Sequence, residues 1–278
     1  MQGLFNRNDL LDIFNSATFA IRHYVHGYWP GRNIHRISSP VNRLFFPIDN
    51  PNGGKNYIDD GKQIHALESG RLYFVPAFLP VQFSLDEQLY FLSIHTTLDI
   101  FPSVELFSSC PYMLNLPCPE EAKKLLELFD HSQETSYFDA LKIGSLTLAV
   151  MVKILENYNI EDFSSPLALK RFAHLSDYLI QNGNAQTSVT ELADLCNLSR
   201  ENFSRKFTEI TGLTPKKLID RFVIKRCIHL LEQGCSFKEI SYRLKFSDEF
   251  VFSRYFKRVT GESPRDWRKN HSQKTDLV

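Results

Sequence analysis

Residues Phe203 to Pro215 read FSRKFTEITGLTP and residues Phe252 to Pro264 read FSRYFKRVTGESP, so the frame F-S-R-x-F-x-x-[IV]-T-G-x-[ST]-P occurs twice, 49 positions apart. A frame that returns with its glycine and proline in place requires two copies of one supersecondary unit. Caps delimit each copy. Ser188 with Glu191 and Ser236 with Glu239 have the S-x-x-E capping-box form, in which a serine oxygen and a glutamate carboxylate satisfy backbone N–H groups at a helix start. Leu192 and Leu195 in one copy, Ile240 and Leu244 in the other, are expected to bury one stripe of a short helix before a turn at Asn197 or Lys245. Ser199 and Ser247 are expected to cap a second helix, which Gly212 and Gly261 end where a left-handed residue is easiest to accommodate. Helix, tight turn and capped helix make a helix-turn-helix.

Between the copies, Thr214-Pro215 sets an N-cap followed by proline at the first helical position, launching a spacer helix through Leu218, Phe222, Ile224, Cys227 and Leu231. Ser263-Pro264 opens a last short helix by the same device, with Trp267 expected to pack inward. The charge of the chain follows this division. Lys plus Arg equal Asp plus Glu at 32 each overall, yet residues 170–278 hold 20 basic against 13 acidic side chains, and residues 1–169 carry the compensating acidic excess. A basic region that contains a repeated helix-turn-helix points to a phosphate backbone.

An α-helix fits the major groove, where each base pair shows a distinct pattern of donors and acceptors, whereas phosphates give affinity without sequence information. The second helix of each unit must therefore expose polar side chains near its start. In the first copy Ser199, Arg200, Glu201, Asn202, Ser204 and Arg205 are the candidates, set against apolar Phe203 and Phe207. In the second copy Asp248, Glu249, Phe250, Ser253, Arg254, Lys257 and Arg258 play against Phe252 and Phe256. Arg205 and Arg254 are equivalent in the frame and are the first choice for base contact, because a guanidinium can bond guanine O6 and N7 together. Phe250 and Val251 stand either as a patch for thymine methyl groups or as ordinary packing. Lys216, Lys217, Lys225 and Arg226 lie on the spacer helix as a solvated face or as phosphate contacts.

The first half reads differently. From about Ala17 to His95, short apolar or alternating runs are separated by Pro, Gly and Asn clusters such as DNPNGGKN, the pattern of a β-sandwich or small barrel. From Pro119 the period becomes helical, and the segment from Tyr137 to Tyr158 places Leu141, Leu148, Val152 and Leu155 at helical spacing, either to close the barrel or to pair with a second copy. NIEDFSSP, residues 159–166, is a plausible linker. The expected division is a first domain over 1–160, a linker over 161–169, the helix-turn-helix domain over 170–270 and a tail over 271–278. Five cysteines without C-x-x-C spacing suggest neither a disulfide framework nor a zinc site. The first residues lack the apolar core of a signal peptide and no run approaches a membrane span, so a cytoplasmic protein without a membrane partner is expected.

Residues 170–270 resemble the DNA-binding domain of the AraC/XylS family of bacterial transcription regulators. The resemblance rests on Leu192-Ala193 before Leu198-Ser199, on FSRKFTEITGLTP, on the spacer helix, and above all on KFSDEFVFSRYFKRVTGESPRDWRK. It departs from the family's pattern at Lys245, where glycine is usual, and at Val223, where arginine is common. It implies two recognition helices on one face of double-stranded DNA, entering successive major grooves about 34–36 Å apart, with RNA polymerase as a partner and an output that is either activation or repression. In layout the first half is similar to the cupin-like barrel that precedes this domain in many members. The implied fold class is therefore α+β in two domains: a cupin-like β-barrel with flanking helices, then an all-α domain of two helix-turn-helix units joined by a spacer helix. The resemblance further implies a small-molecule effector, often a sugar, and a homodimer formed through the adjacent helices, here 137–158. Arg36, Arg43, Tyr57, His65, Tyr73 and His95 are the candidates to line an effector pocket.

A metal-dependent cupin enzyme is the competing class. It would need a closely spaced His-x-His, a following Glu and a later His, and His23, His26, His35, His65 and His95 do not cluster in that way. No G-x-S-x-G, Walker or G-x-G-x-x-G motif supports catalysis. The expectation is no enzyme, no cofactor and no metal.

Overall fold

The structure, a computed structural model, describes residues 15, 17–31, 34–101, 104–130, 136–158 and 172–272. The expected linker over 161–169 and the end of the tail, 273–278, lie outside the described residues. The chain divides into two compact units. One comprises Thr18–Leu98 with Cys110–Phe163, the other Ser164–Val278 together with Asp99–Ser109 and Met1–Ala17.

The first unit is built on antiparallel strands β1 (Thr18–Tyr28), β2 (Ile34–Ile37), β3 (Asn42–Asp49), β4 (Tyr57–Asp59), β5 (Ile64–Ala66), β6 (Arg71–Val75), β7 (Val81–Ser84), β8 (Tyr90–Phe101) and β10 (Leu114–Pro117), while the end of β8 from Asp99 and the short β9 (Val104–Glu105) are counted with the second unit. They form a sheet in the order β1-β8-β3-β6-β10, with β9 on β8, and a second sheet in the order β2-β7-β4-β5. The expected barrel thus takes the form of two sheets over one core. Phe45, Tyr73 and Phe91 from the larger sheet meet Ile58, Val81 and Phe83 from the smaller one, each removed from water because alternate residues of a strand face the same side. Phe45 stacks on Phe91 with ring centroids 5.3 Å apart. Strands do not stop at His95 as the sequence suggests: β8 runs on to Phe101 and β10 follows later.

Two helices complete this unit, α1 (Pro119–Asp130) and α2 (Tyr137–Leu155). Ser136 caps α2 by accepting the Asp139 N–H. The buried residues of α2 are Ile143, Thr147, Val150, Met151 and Ile154. Leu141, Leu148 and Val152, which the sequence singles out by spacing, lie on the opposite, exposed side. Among the described residues no helix is long and apolar enough to cross a membrane, and the five cysteines are free.

The second unit consists of α3 (Ala173–Asn182), α4 (Val189–Leu195), α5 (Arg200–Thr211), α6 (Pro215–Glu232), α7 (Phe237–Arg243), α8 (Glu249–Thr260) and α9 (Pro264–Ser272). The last helix runs two residues past the expected domain end at 270. Both capping boxes are formed, at Ser188 with Glu191 and at Ser236 with Glu239. Thr214 caps α6 with Pro215 in its first turn, and Leu218, Phe222, Ile224, Cys227 and Leu231 of that helix are all buried. Val223, the departure from the family's arginine, is buried with them. Trp267 packs edge-to-face against Phe256 at 6.3 Å.

Candidate nucleic-acid interface

Helix α5 exists because Ser199 accepts the Asn202 N–H at 3.3 Å and Gly212 ends it at φ 66°. Phe203 and Phe207 are buried, with Phe172 packed on Phe207 at 4.9 Å. The opposite stripe is Glu201, Ser204, Arg205 and Thr208 at i, i+3, i+4 and i+7, of which Glu201 and Arg205 are exposed. Helix α8 repeats this arrangement. Phe252 and Phe256 are buried, Gly261 ends the helix at φ 88°, and the matching stripe is Phe250, Ser253, Arg254 and Lys257. Arg205 and Arg254 are equivalent in geometry as well as in text: each sits one turn into the second helix of its unit, on the face away from the core.

The cap of α8 differs from expectation. Asp248, not Ser247, is the N-cap: its carboxylate accepts the Val251 N–H at 2.7 Å, and Ser247 only donates to Asp248 at 3.3 Å. The Val251 N–H, with help from the Phe250 N–H, Ser247 and the Arg254 charge, holds the Asp248 carboxyl below its ordinary pKa. The physical reason for the changed cap is one additional residue in the turn. Asn197 and Lys245 hold the left-handed position in the two copies, at φ 54° and 55°. From there Ser199 follows by two residues and Asp248 by three, the extra room being taken by Phe246, which packs on Phe252 at 5.6 Å. Leu195 is a second correction: it is 40% exposed, and Leu192 and Ala193 carry the buried stripe of α4.

Several candidates are already engaged within the unit. The Ser253 hydroxyl donates to the Glu249 carbonyl at 2.8 Å. Arg258 lies 3.6 Å from Asp220 and over the Tyr255 ring; Tyr255 itself donates to Asp220 at 3.1 Å, and burial with the Asp220 charge raises the Tyr255 pKa far above its ordinary value. Lys216 completes this Asp220 cluster at 3.1 Å. Lys225 is paired with Asp99 at 2.6 Å, and Arg226 donates to the Gly183 carbonyl that follows α3. Next to Lys225 by one turn, Arg221 donates to Ser108 Oγ at 2.7 Å, and burial pulls its pKa down to about 10 against the opposing charge of Glu105. Arg200, Glu201, Asn202, Glu249 and Lys257 are exposed. Thr208 completes the stripe at i+7 from Glu201 and is half-buried. The Asp220 cluster carries no local sequence signal, since it joins residues of two helices.

In the first unit the effector candidates do not form one group. Arg43 and His95 are direct cross-strand partners of β3 and β8, and the Arg43 Nε–H donates to His95 Nε2 at 2.9 Å while its guanidinium lies over Phe83 at 4.7 Å. His23 stands edge-on to His95 at 5.5 Å. Beside Arg43, a cavity with room for about one water is lined by Ile37, Ser39, Val75, Leu79 and Val81. The others lie apart. Arg36 is exposed and donates to the Pro80 carbonyl, His65 pairs with Asp60 at 3.2 Å, Tyr57 is partly buried on β4, and buried Tyr73 donates to the Ala66 carbonyl at 2.6 Å. Among the described residues no three His, Cys, Asp or Glu side chains gather in a way that would hold a metal ion.

A strand-built unit joined to two capped helix-turn-helix units on a common spacer defines a helix-turn-helix protein with an accessory sheet domain. A family model described as a helix-turn-helix domain matches residues 192–270. Over 112 residues the chain is 35% identical to the HTH-type transcriptional activator RhaS of Escherichia coli O1:K1, covering 40% of this chain and 38% of that protein. Over 160 residues it is 26% identical to RhaS of Enterobacter sp. strain 638, covering 57% of each. The matches thus span well under two thirds of these relatives. ToxT from Vibrio cholerae O395 has a similar fold across both units, with a TM-score of 0.59, 15% identity, and coverage of 92% of this chain and 98% of that one. The unsaturated fatty acid-bound ToxT of strain SCE256 is similar at a TM-score of 0.56 and 15% identity, over 91% of this chain and 95% of that one. Residues 192–270 thus match a helix-turn-helix domain and lie in the part of the chain that is similar to the RhaS activators.

Proposed function

We propose that the chain is a sequence-specific transcription regulator that grips double-stranded DNA through α5 and α8. The observation that carries this reading is the pair of equivalent stripes, Glu201-Ser204-Arg205-Thr208 and Phe250-Ser253-Arg254-Lys257, each turned away from a buried Phe pair. Arg205 and Arg254 are the base readers. Arg200 and Lys257 are the phosphate contacts, and Ser199 and Asp248 serve chiefly as caps. The RhaS relatives are named transcriptional activators, and in this reading the chain is likewise an activator that works with RNA polymerase in the cytoplasm, by binding rather than catalysis.

The amino-terminal unit is the sensor in this reading, and Arg43 with His95 is the group that would meet an anionic or hydroxylated effector. The cavity beside Arg43 is far smaller than a sugar, so an effector has to open it and gains its leverage by favouring the opened arrangement. Two chains pair through the exposed apolar side of α2. DNA sites selected from a random pool by the purified chain, at two salt concentrations because phosphate contacts are salt-dependent, test the core of the proposal. A motif of two elements about 10 base pairs apart is expected; enrichment of no motif, with salt-sensitive binding alone, overturns it.

A further inference from the structure

Phe250 is 71% exposed in the first turn of α8, between Glu249 and partly buried Val251. Packing does not account for it, since the core side of this helix is occupied by Phe252, Phe256 and Thr260. It heads the same stripe as Ser253, Arg254 and Lys257, one turn before the arginine assigned to base reading. The frame puts Glu201 at this place in the other copy, so the two recognition helices differ most in chemistry at their leading position. A phenyl ring neither donates nor accepts a conventional hydrogen bond. Among the major-groove edges of the four bases, the one apolar group is the C5-methyl of thymine. The carboxylates of Asp248 and Glu249 immediately before it disfavour close approach of phosphate and leave the groove floor as the surface the ring can meet.

Resting on the DNA-binding reading above, we infer that Phe250 is a specificity-determining residue that reads thymine methyl groups. Residues i and i+4 of a helix have Cβ atoms about 5–6 Å apart, so the thymine lies within about two base pairs of the base addressed by Arg254, given about 3.4 Å per step. The second element of the operator is marked by a methyl group where the first is marked by hydrogen-bonding edges.

The test uses the full chain and its Phe250→Ala variant, which loses an exposed side chain and no core. Sites are selected from a random DNA pool by the unmodified protein, and each thymine of the selected site is then replaced singly by uracil, which removes the methyl and nothing else. The expected result is one or two positions where uracil weakens binding by about fourfold each, the worth of one buried carbon, and where the variant binds thymine and uracil equally. Equal binding of thymine and uracil by the unmodified protein at every position overturns the methyl contact and leaves DNA recognition standing. The same uracil response in protein and variant overturns the role of Phe250 and assigns the methyl contact to another side chain. Selection of no site by the unmodified protein overturns both readings together.

Discussion

Lys245 holds the same left-handed backbone as Asn197, φ 55° against 54°, in the turn before each recognition helix, although only asparagine of the two residue types tolerates that region readily. The lysine carries strain that its counterpart largely avoids.

Lys245→Gly removes the Cβ that makes the left-handed turn costly and is expected to stabilise the helical unit by about 1 kcal/mol. Lys245→Val, branched at the same carbon, is expected to destabilise it. Urea unfolding of both variants beside the unaltered chain checks the sign. A Lys245→Gly variant less stable than its parent would mean that the turn is held by the lysine side chain.

Arg254 and Arg258 lie one turn apart, but only Arg258 is drawn onto Asp220 and the Tyr255 ring. Arg254→Ala is expected to cost about 1–3 kcal/mol on the selected site and much less on random DNA, whereas Arg258→Ala is expected to cost little of that discrimination. Titration of each variant against specific and random duplexes measures the difference. Equal losses on both duplexes for Arg254→Ala would remove it from base reading.

Phe138, Leu141, Leu148 and Val152 form an exposed apolar stripe on α2, with Ser145 completing the alternation of three- and four-residue steps that suits a helix pair. The double variant Leu141→Glu with Leu148→Glu is expected to leave α2 folded, since its core contacts are on the other side, and to convert a dimer into a monomer in sedimentation experiments. An unchanged sedimentation coefficient would exclude this surface as the contact.

Asp60 gives an acid-sensitivity prediction. Burial works against its ionisation, but the Lys62 and Gln63 N–H groups and His65 outweigh that, and its pKa is lowered. A carboxyl depressed in the folded state stabilises the fold above its unfolded pKa, and that contribution is lost as pH falls through the folded value. Stability of the first unit is therefore expected to drop from about pH 4 downward, and Asp60→Asn should flatten that limb. Parallel acid limbs for the two proteins would assign the loss to other carboxylates.

The helical unit was legible in detail because its signals are local. Ser188, Glu191, Ser236, Glu239 and Thr214 each fix a helix start through a bond with a backbone N–H three residues away, and Pro215 supplies a preset φ at the first helical position. Ser247 was misassigned because a serine before an acidic residue satisfies the same local rule as Asp248, and only the packing of Phe246 on Phe252 selects between them. Leu141 and Leu148 have the helical period, but periodicity marks an apolar face without saying what covers it, and the structure leaves theirs exposed. The sensor candidates were the least legible. Arg43 and His95 meet only through the register of β3 on β8, a long-range pairing that no local pattern encodes, while His65 is taken up by its own turn through Asp60.

The extra residue between Lys245 and α8 lies before the Asp248 cap, so α5 and α8 keep one frame from their caps onward and differ at the leading position by residue alone, Phe250 against Glu201. On DNA such a chain has a front and a back. Turned end for end on the same site, it would set an aromatic ring where a carboxylate belongs, so a promoter could specify direction as well as position with a single copy of the protein.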